Sequence, residues 1–312
     1  MFINYLKTAI RHLWRHKLFA VINIVGLAVG FAAFNLIVTF IRFELSFDEF
    51  HQHHERIYRV EQIRVHEGRQ ERDAGLPPPL AGALKAEFPE IEAVTQVLKA
   101  GELTLSVGDH RRISAAQCLY ADASFFEVFS FTLMAGDRRT ALDEPYSAVI
   151  SERIARALFG DDNPMGQTIR VNHRFDFKVT GIHRKVPANS HLQFDLLISL
   201  ATHFSRLTPE SLSSWGDNWL PLYILLKKKH RGEDLNQKLR QALWTYPDLG
   251  IYDRQVYLRP LKDIHLHSHV LNELGINSDI RNVCIFGSVA VLILLIVLEI
   301  NREKSKNRML GV

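Results

Sequence analysis

The sequence predicts an α+β fold in which a mixed strand and helix extracytoplasmic domain is flanked by two transmembrane α-helices. Two uncharged apolar runs lie towards the ends of the chain, at residues 18–41 and 282–298. Basic residues flank the outer side of each run. Between the runs, short segments with strand-like alternation and segments with helical periodicity follow one another without a regular βαβ repeat.

The composition indicates that the membrane signal is local. The 312 residues are 47% hydrophobic and the mean hydropathy is −0.04, which are ordinary values for a globular chain. The net charge of +4 is modest, so the position of the charges matters more than their sum. Because the basic clusters flank apolar runs and are not interleaved with aromatic residues, the sequence argues against nucleic-acid binding.

Residues 1–17 are predicted to form a cytoplasmic amphipathic helix at the inner membrane surface. Its polar face carries Lys7, Arg11 and Arg15, and such a helix lies in the plane of the interface. The alternative is a charged flank that only sets the membrane topology. The apolar face of this helix consists of Phe2, Leu6, Ala9, Ile10, Leu13 and Trp14.

Residues 18–43 are predicted to be the first transmembrane helix. At ~1.5 Å rise per residue the uncharged run is long enough to cross a hydrocarbon core of ~30 Å. A cleaved signal peptide is the alternative, but the apolar region of a signal peptide is typically only ~7–15 residues long. Gly26 and Gly30 form a GxxxG pattern, so we expect these two glycines to lie at a helix-packing face.

Residues 44–281 are predicted to be the exported domain. The strand segments are rich in β-branched and aromatic residues. Ser151 is a favourable N-cap for a helix, and Gly160 is a favourable residue to end that helix. The predicted strands are residues 56–66, 94–107, 147–150, 168–171, 175–182, 220–227 and 256–266. The predicted helices are residues 80–88, 152–159 and 233–244.

Residues 282–298 are predicted to be the second transmembrane helix, and 299–312 a basic cytoplasmic tail. The run is close to the minimum length of a span, so a buried core helix is the alternative. Orientation follows from lysine and arginine residues beside the spans. Both basic flanks point to the cytoplasm, which predicts a multi-pass protein of the inner membrane with its large domain in the periplasm. The flanking cations are Lys7, Arg11, Arg15, Lys17, Arg302, Lys304, Lys306 and Arg308.

The sequence offers no catalytic or metal-binding motif of its own. The segment Gly160–Thr168 has the spacing of a phosphate loop only approximately and has glutamine in place of the essential lysine, so we expect no ATP binding by this chain. The histidines at 51–54 and 265–269 are interpreted as solvated surface residues. Cys118 and Cys284 fall in different regions and predict no disulfide. An exported enzyme without a recognisable motif is the residual alternative.

The order of several short motifs resembles the FtsX/MacB-like ABC transporter permeases, namely their first span and MacB-like periplasmic core domain. No single motif is specific, but the ordered set covers nearly the whole chain. The matching segments are residues 4–13, 16–30, 46–51, 56–60, 122–131, 136–137, 147–151, 158–160, 163–166, 179–181, 187–190 and 264–266.

The resemblance implies a permease-type subunit that is not an enzyme and transmits ATP-driven motion to a periplasmic domain. It implies a separate cytoplasmic ABC ATPase that binds the ATP, so that this chain needs no cofactor. It also implies a homodimer or a second permease subunit, contact with membrane lipid, and a periplasmic adaptor or substrate as further candidate partners. The implied processes are export or efflux, or lipoprotein release.

The chain departs from the family pattern after the second span. Family members usually continue through a third and fourth span, and a cytoplasmic coupling helix follows the second. Here only Glu303, Arg308, Leu310 and Gly311 match that coupling segment, which predicts a chain truncated relative to the family with a partial coupling helix. The alternatives are a two-span sensor or scaffold with a periplasmic ligand- or protein-binding domain, or an inactive permease remnant.

Overall fold

A computed structural model describes residues 17–66, 69–108, 111–242 and 255–309 of the chain. The chain divides into two compact units. One unit contains the two long terminal helices, and the other comprises residues 47–277. Apart from Lys17, the predicted amphipathic helix lies outside the described residues.

Helices and strands alternate irregularly along the chain, as expected for an α+β protein. The α-helices of the described residues are α1 (Lys17–Leu45), α2 (Leu80–Glu87), α3 (Phe125–Val128), α4 (Glu152–Phe159), α5 (Leu200–Phe204), α6 (Pro209–Ser213), α7 (Gly232–Ala242), α8 (Ile264–His267) and α9 (Ile280–Met309). The strands are β1 (Ile57–His66), β2 (Arg69–Asp73), β3 (Gly75–Leu76), β4 (Ile91–Val107), β5 (Arg111–Ala121), β6 (Leu133–Ala135), β7 (Ser147–Ser151), β8 (Thr168–Val171), β9 (Phe175–His183), β10 (Leu196–Ser199), β11 (Leu220–Leu226) and β12 (Gln255–Pro260).

Helices α1 and α9 pack against each other within the helical unit. The rings of Phe40 and Phe286 meet edge to face with centroids 5.1 Å apart, and a Cβ at Gly287 would lie 3.8 Å from Ile41 Cδ1. The segments Ile24–Leu45 and Ile280–Glu299 are long and apolar enough to cross a membrane. Most of their large side chains face outwards, as expected for helices whose remaining surface contacts lipid.

The domain is built on one mixed sheet, in the order β12-β1-β11-β4-β5-β10-β7-β9-β6. Strands β2 and β3 pair with β1 and β11, and β8 pairs with β4 and β9. The first part of β4 pairs with β11 and the later part with β5, so this long strand joins the two halves of the sheet. Most neighbours are antiparallel, whereas β5 with β10 and β7 with β9 are parallel.

A cluster of phenylalanine side chains fills the centre of the domain. Phe125, Phe126 and Phe129 are each at most 1% exposed and come from the short helix α3 and the residue after it. Asp122 fixes the start of this segment, because its carboxylate accepts bonds from Ser124 N at 3.0 Å, Gln96 N at 2.8 Å and Thr95 Oγ1 at 2.8 Å. Burial raises the pKa of Asp122 to about 6, against those hydrogen bonds.

Several element boundaries agree with the sequence prediction. Helix α4 begins after Ser151, whose Oγ accepts the Ile154 N–H at 3.3 Å, and ends at Gly160 with φ 66°. Helix α7 covers the outer edge of β12, since Asn236 Oδ1 accepts the Leu258 N–H at 2.7 Å. An otherwise exposed strand edge is thereby capped. The last two residues of the predicted helix 233–244 lie outside the described residues.

The prediction of a strand over residues 256–266 is wrong beyond Pro260. The ladder with β1 ends at the Tyr58–Pro260 pair, and Pro260 brings no N–H to continue it. A 3-10 turn and helix α8 follow. The interpretation of His265 as a solvated surface residue is also wrong. His265 is buried and stacks on Phe47 with ring centroids 3.3 Å apart.

Candidate functional site

Two buried polar networks tie the ends of the 47–277 unit into its sheet. The Asp48 network consists of Asp48, His51, Ser190, His191 and Tyr223. The Arg59 network consists of Arg59, Glu61, Tyr257, Arg259, Ser268 and Glu273. Their outer members lie close in sequence to the end of α1 and the start of α9, so the networks stand where the domain meets the two long helices along the chain.

Asp48 joins the segment after α1 to the loop before β10. Its Oδ2 lies 2.7 Å from His191 Nδ1, and its Oδ1 accepts the Ser190 hydroxyl at 3.0 Å. Its own backbone N–H donates to Asn189 O at 2.8 Å. Asp48 adopts φ 60°, a left-handed conformation that aspartate tolerates better than most residues. The two motif segments 46–51 and 187–190 are therefore in direct contact.

His51 is a neutral, buried neighbour of Asp48. Its Nδ1 accepts the Ser130 N–H at 3.0 Å, so the ring proton sits on Nε2, which lies 3.9 Å from Asp48 Oδ1. Burial lowers the pKa of His51 to about 3, although the Asp48 charge acts in the opposite direction. The pKa of Asp48 is itself lowered, because the attraction and hydrogen bond of His191 outweigh the effect of burial.

Tyr223 connects the Asp48 network to the centre of the sheet. Its hydroxyl lies 2.9 Å from His191 Nε2, and the residue is fully buried on β11. Burial raises the pKa of Tyr223, and the nearby Arg59 charge opposes this rise. The tyrosine is thus neutral at ordinary pH and lies between the two networks.

The Arg59 network joins β1, β12 and the segment that leads back to α9. Arg59 Nη1 donates to Glu273 Oε2 at 2.6 Å, and Nη2 donates to Glu61 Oε1 at 2.6 Å. The same Nη2 donates to Ser268 Oγ at 2.5 Å. Arg259 Nε donates to the two Glu61 carboxylate oxygens at 3.0 and 3.1 Å. Arg59 thereby joins β1 to the segment that carries Ser268 and Glu273, and Arg259 adds β12 through Glu61.

The charges of the Arg59 network balance. Two arginines face Glu61 and Glu273, and both Arg59 and Glu61 have fully buried side chains. Burial alone would lower the pKa of Arg59, but the charges of Glu273 and Glu61 and the hydrogen bond to Glu273 raise it above its usual value. Buried charges are tolerated only when paired in this way.

A third contact brings the returning segment against the Asp48 network. A Cβ added at Gly275 would overlap the backbone carbonyl of His191, so only glycine allows this approach. Gly275 lies two residues beyond Glu273, and the segment is therefore fixed on both networks. Both ends of the 47–277 unit are therefore held by the side chains of these two networks.

The two networks hold the ends of the domain through buried side chains. Asp48, His191 and Tyr223 form a hydrogen-bonded series in which each residue is at most 2% exposed. Among the described residues, no group of three or more His, Cys, Asp or Glu residues is arranged to hold a metal ion. Cys118 and Cys284 are both free thiols.

The two glycines of the predicted packing face have different surroundings. A Cβ at Gly30 would lie 3.1 Å from Val297 Cγ2 and 3.9 Å from Ile293 Cγ2 on α9. A Cβ at Gly26 would meet nothing within 4 Å. Within this chain, Gly30 therefore lies where α1 approaches α9 closely, and Gly26 does not. A packing face that includes both glycines stays a prediction.

We expect Gly30→Leu to push α9 away from α1, because a large side chain would overlap Val297. The measurement is the yield of cross-links between cysteines at Ile41 and Gly287, in a background with Cys284→Ser. Gly26→Leu is the matched control and should leave the yield unchanged. Equal yields in both variants would contradict the packing at Gly30.

The predicted ATPase-coupling residues fall at the end of the chain. Glu303 and Arg308 lie in helix α9, which continues to Met309. Leu310 and Gly311 lie outside the described residues. The coupling role of these four residues stays a prediction.

Most of the buried polar residues could not be recognised in the sequence. The motif segments 46–51 and 187–190 stand out in the sequence, but the bonds that Asp48 makes between them do not. His51 was interpreted as a solvated histidine, and its burial shows this to be wrong. A usable signal for Arg59 was its position between Tyr58 and Val60 in a strand-like segment, where a buried charge would imply a partner.

Comparison with known proteins agrees with this architecture. The family model of the MacB-like periplasmic core domain matches residues 20–242. A solved domain from a Porphyromonas gingivalis protein described as a permease shares the fold, with a TM-score of 0.59 and 23% identity, over 67% of this chain and 91% of that one. The curated proteins compared with the chain gave no match.

Two further solved structures are more distant. One is the periplasmic region of MacB from Actinobacillus actinomycetemcomitans, with a TM-score of 0.47 and 16% identity over 66% of this chain and 90% of that chain. The other is the extracellular domain of the noncanonic ABC-type transporter YknZ from Gram-positive bacteria. Its TM-score is 0.46 and its identity 12%, over 65% of this chain and 99% of that chain.

Proposed function

The chain belongs to the MacB-like periplasmic core domain family, and from this membership we propose that it is a permease-type subunit of an ABC transporter. In this proposal a separate cytoplasmic ATPase binds and hydrolyses ATP, and the chain carries the resulting motion to the domain of residues 47–277. The process served is export or efflux, or lipoprotein release.

The observation that carries the proposal is the double anchoring of the domain ends. Transmission of force needs a stiff joint, because a flexible linker would absorb the displacement. The Asp48 network begins three residues after the end of α1, and the Arg59 network holds Glu273, seven residues before the start of α9. Each network contains several buried hydrogen bonds, which would have to break if the end of the domain moved relative to the sheet.

The proposed location follows from the two apolar helices and the basic residues beside them. Both helices would cross the inner membrane, with the chain ends in the cytoplasm and residues 47–277 in the periplasm. A second permease chain, of the same or another kind, would complete the assembly. A periplasmic adaptor or the substrate would contact the domain, and the chain itself would carry no cofactor.

The test is whether an ABC ATPase copurifies with the tagged chain from native membranes. We expect a stoichiometric ATPase that is lost when residues 303–312 are deleted. A variant with these residues in scrambled order is the matched control, because it keeps the basic flank that sets topology, and it too should lose the ATPase. Size-exclusion chromatography checks that each variant remains folded.

Two results would contradict the proposal. A folded, membrane-inserted chain that brings no ATPase would indicate a two-span binding protein or an inactive remnant. An ATPase that both tail variants retain would remove the coupling role from Glu303, Arg308, Leu310 and Gly311.

A further inference from the structure

A groove on the 47–277 unit has an apolar end and a cationic end. It consists of two adjoining cavities of about 390 and 750 Å³, which share Gln117 and Gln193 as lining residues. The volumes are in the range of sites that bind small molecules, ~300–1,000 Å³. Ser190 and His191 of the Asp48 network line the smaller cavity, and both are hydrogen-bonded to Asp48.

The apolar end is lined mainly by aliphatic and aromatic side chains, and the exposed Lys99 also borders it. Leu119 and Leu274 are at most 8% exposed and form its inner wall, together with Phe47 at 9%. Ile276 also lines this end and is 94% exposed. An apolar ligand would cover it.

The cationic end carries more positive than negative charge. Arg153 pairs with Asp195 at 2.9 Å, and Arg156 pairs with Glu152 at 2.5 Å, yet the two arginine side chains are 53% and 77% exposed. Lys185 is an exposed third cation, for which no ion pair is found among the described residues. The arginines retain N–H groups with which to bind a phosphate or carboxylate.

The position of the apolar end along the chain indicates where a ligand would come from. Phe47 is the second residue after the end of α1, and Ile276 lies four residues before the start of α9. Both walls of the apolar end therefore continue, within a few residues, into the two helices that can span a membrane. This short distance along the chain favours a membrane lipid as the ligand.

We propose that the groove binds an anionic amphiphile with one acyl chain, taken from the adjacent membrane leaflet. Its acyl chain occupies the apolar end, and its phosphate or carboxylate headgroup binds Lys185, Arg153 and Arg156. Gln117 and Gln193 lie at the junction of the two cavities, where the polar part of the ligand begins. This site is independent of the ATPase and of the proposed coupling.

The test uses the full chain in nanodiscs of zwitterionic phosphatidylcholine. The probe is a lysophosphatidylglycerol with a diazirine at the end of its acyl chain. After illumination and digestion, mass spectrometry locates the adducts. We expect adducts in the segments that contain Leu119, Leu274 or Ile276, besides those in the two long helices that any membrane lipid would give.

Variants separate groove binding from contact with the bilayer. Ala188→Trp places a large ring at an exposed position in the apolar end and should abolish the groove adducts. Lys185→Glu should lower them about threefold, as expected for the loss of an exposed ion pair. Lys228→Glu is the matched control, an exposed lysine on the 227–231 loop outside the groove, and should change nothing.

Three results would overturn the proposal. Adducts confined to α1 and α9 would mean that the probe stays in the bilayer. Equal groove labelling by a matched lysophosphatidylcholine probe would show that negative charge is not recognised. Loss of the groove adducts on adding glycerol phosphate alone would mean that the site takes a free anion and not an amphiphile. Because no ATPase is present, none of these results bears on the coupling test.

Discussion

Replacing Arg59 by methionine is expected to lower the free energy of unfolding by about 3–5 kcal/mol, the usual cost of removing one partner from a buried ion pair. Arg59 is fully buried, and its guanidinium donates to Glu61, Ser268 and Glu273. Methionine fills much of the volume but leaves Glu273 facing the interior without a cation. The measurement is urea unfolding of the detergent-solubilised chain.

Two further variants test whether the effect comes from the uncompensated charge. Arg170→Met is the control for an exposed pair, since Arg170 and Asp176 are 57% and 52% exposed, and it should cost no more than about 1 kcal/mol. The double variant Arg59→Met/Glu273→Met should recover much of the loss, because Arg259 still neutralises Glu61. A double variant as unstable as Arg59→Met alone would show that packing and not charge is responsible.

The regular elements could be predicted because their signals are local. The N-cap Ser151 and the terminal Gly160 placed helix α4 at its observed bounds, and alternation placed β8 and most of β9. Strand β5 was missed because its polar residues hide the alternation: three of its first four residues are Arg111, Arg112 and Ser114. The strand forms because the long β4 supplies a partner along its length.

The buried networks could not be predicted because their bonds join distant parts of the chain. Asp48 and His191 are 143 residues apart, and Arg59 and Glu273 are 214 apart. A single sequence shows that a charge lies in an apolar context but not which residue compensates it. Gly275 gives no sequence signal either, since its role depends on the carbonyl of His191.

The networks also decide how the domain would respond to pulling at its ends. A hydrophobic contact can slide gradually, whereas a hydrogen-bonded ion pair has one geometry and then breaks. The segments that carry Asp48 and Glu273 are therefore expected to move together with the sheet. Pulling on either segment would then load the hydrogen bonds of the networks before it loosened the end of the domain.

Acidification from pH 7 to pH 4 is expected to remove about 3 kcal/mol of the stability that depends on a neutral His51. The pKa of His51 is about 3 in the folded protein, below its ordinary value of 6.5. The unfolded chain therefore binds a proton at pH values where the folded chain does not. The free energy of unfolding falls as the pH decreases from 6.5 towards 3, and the contribution is fully present only above 6.5.

Other groups titrate in the same range, so the expected effect is a difference between variants. Burial lowers the pKa of His183 and adds to the acid sensitivity, whereas the raised pKa of Asp122, about 6, opposes it. His51→Asn keeps an acceptor for the Ser130 N–H but cannot be protonated. The wild-type chain should lose about 3 kcal/mol more than His51→Asn over this range.

The control for His51→Asn is His267→Asn, which replaces a half-exposed histidine of α8 outside the Asp48 network. Parallel profiles for the wild type and His51→Asn would mean that His51 accepts a proton without unfolding. Its Nδ1 would then have to release the Ser130 N–H, while a new positive charge appeared beside Asp48 and near His191. The segment that follows α1 would be rearranged at its anchor, and the stiffness that the coupling proposal requires at that point would depend on pH.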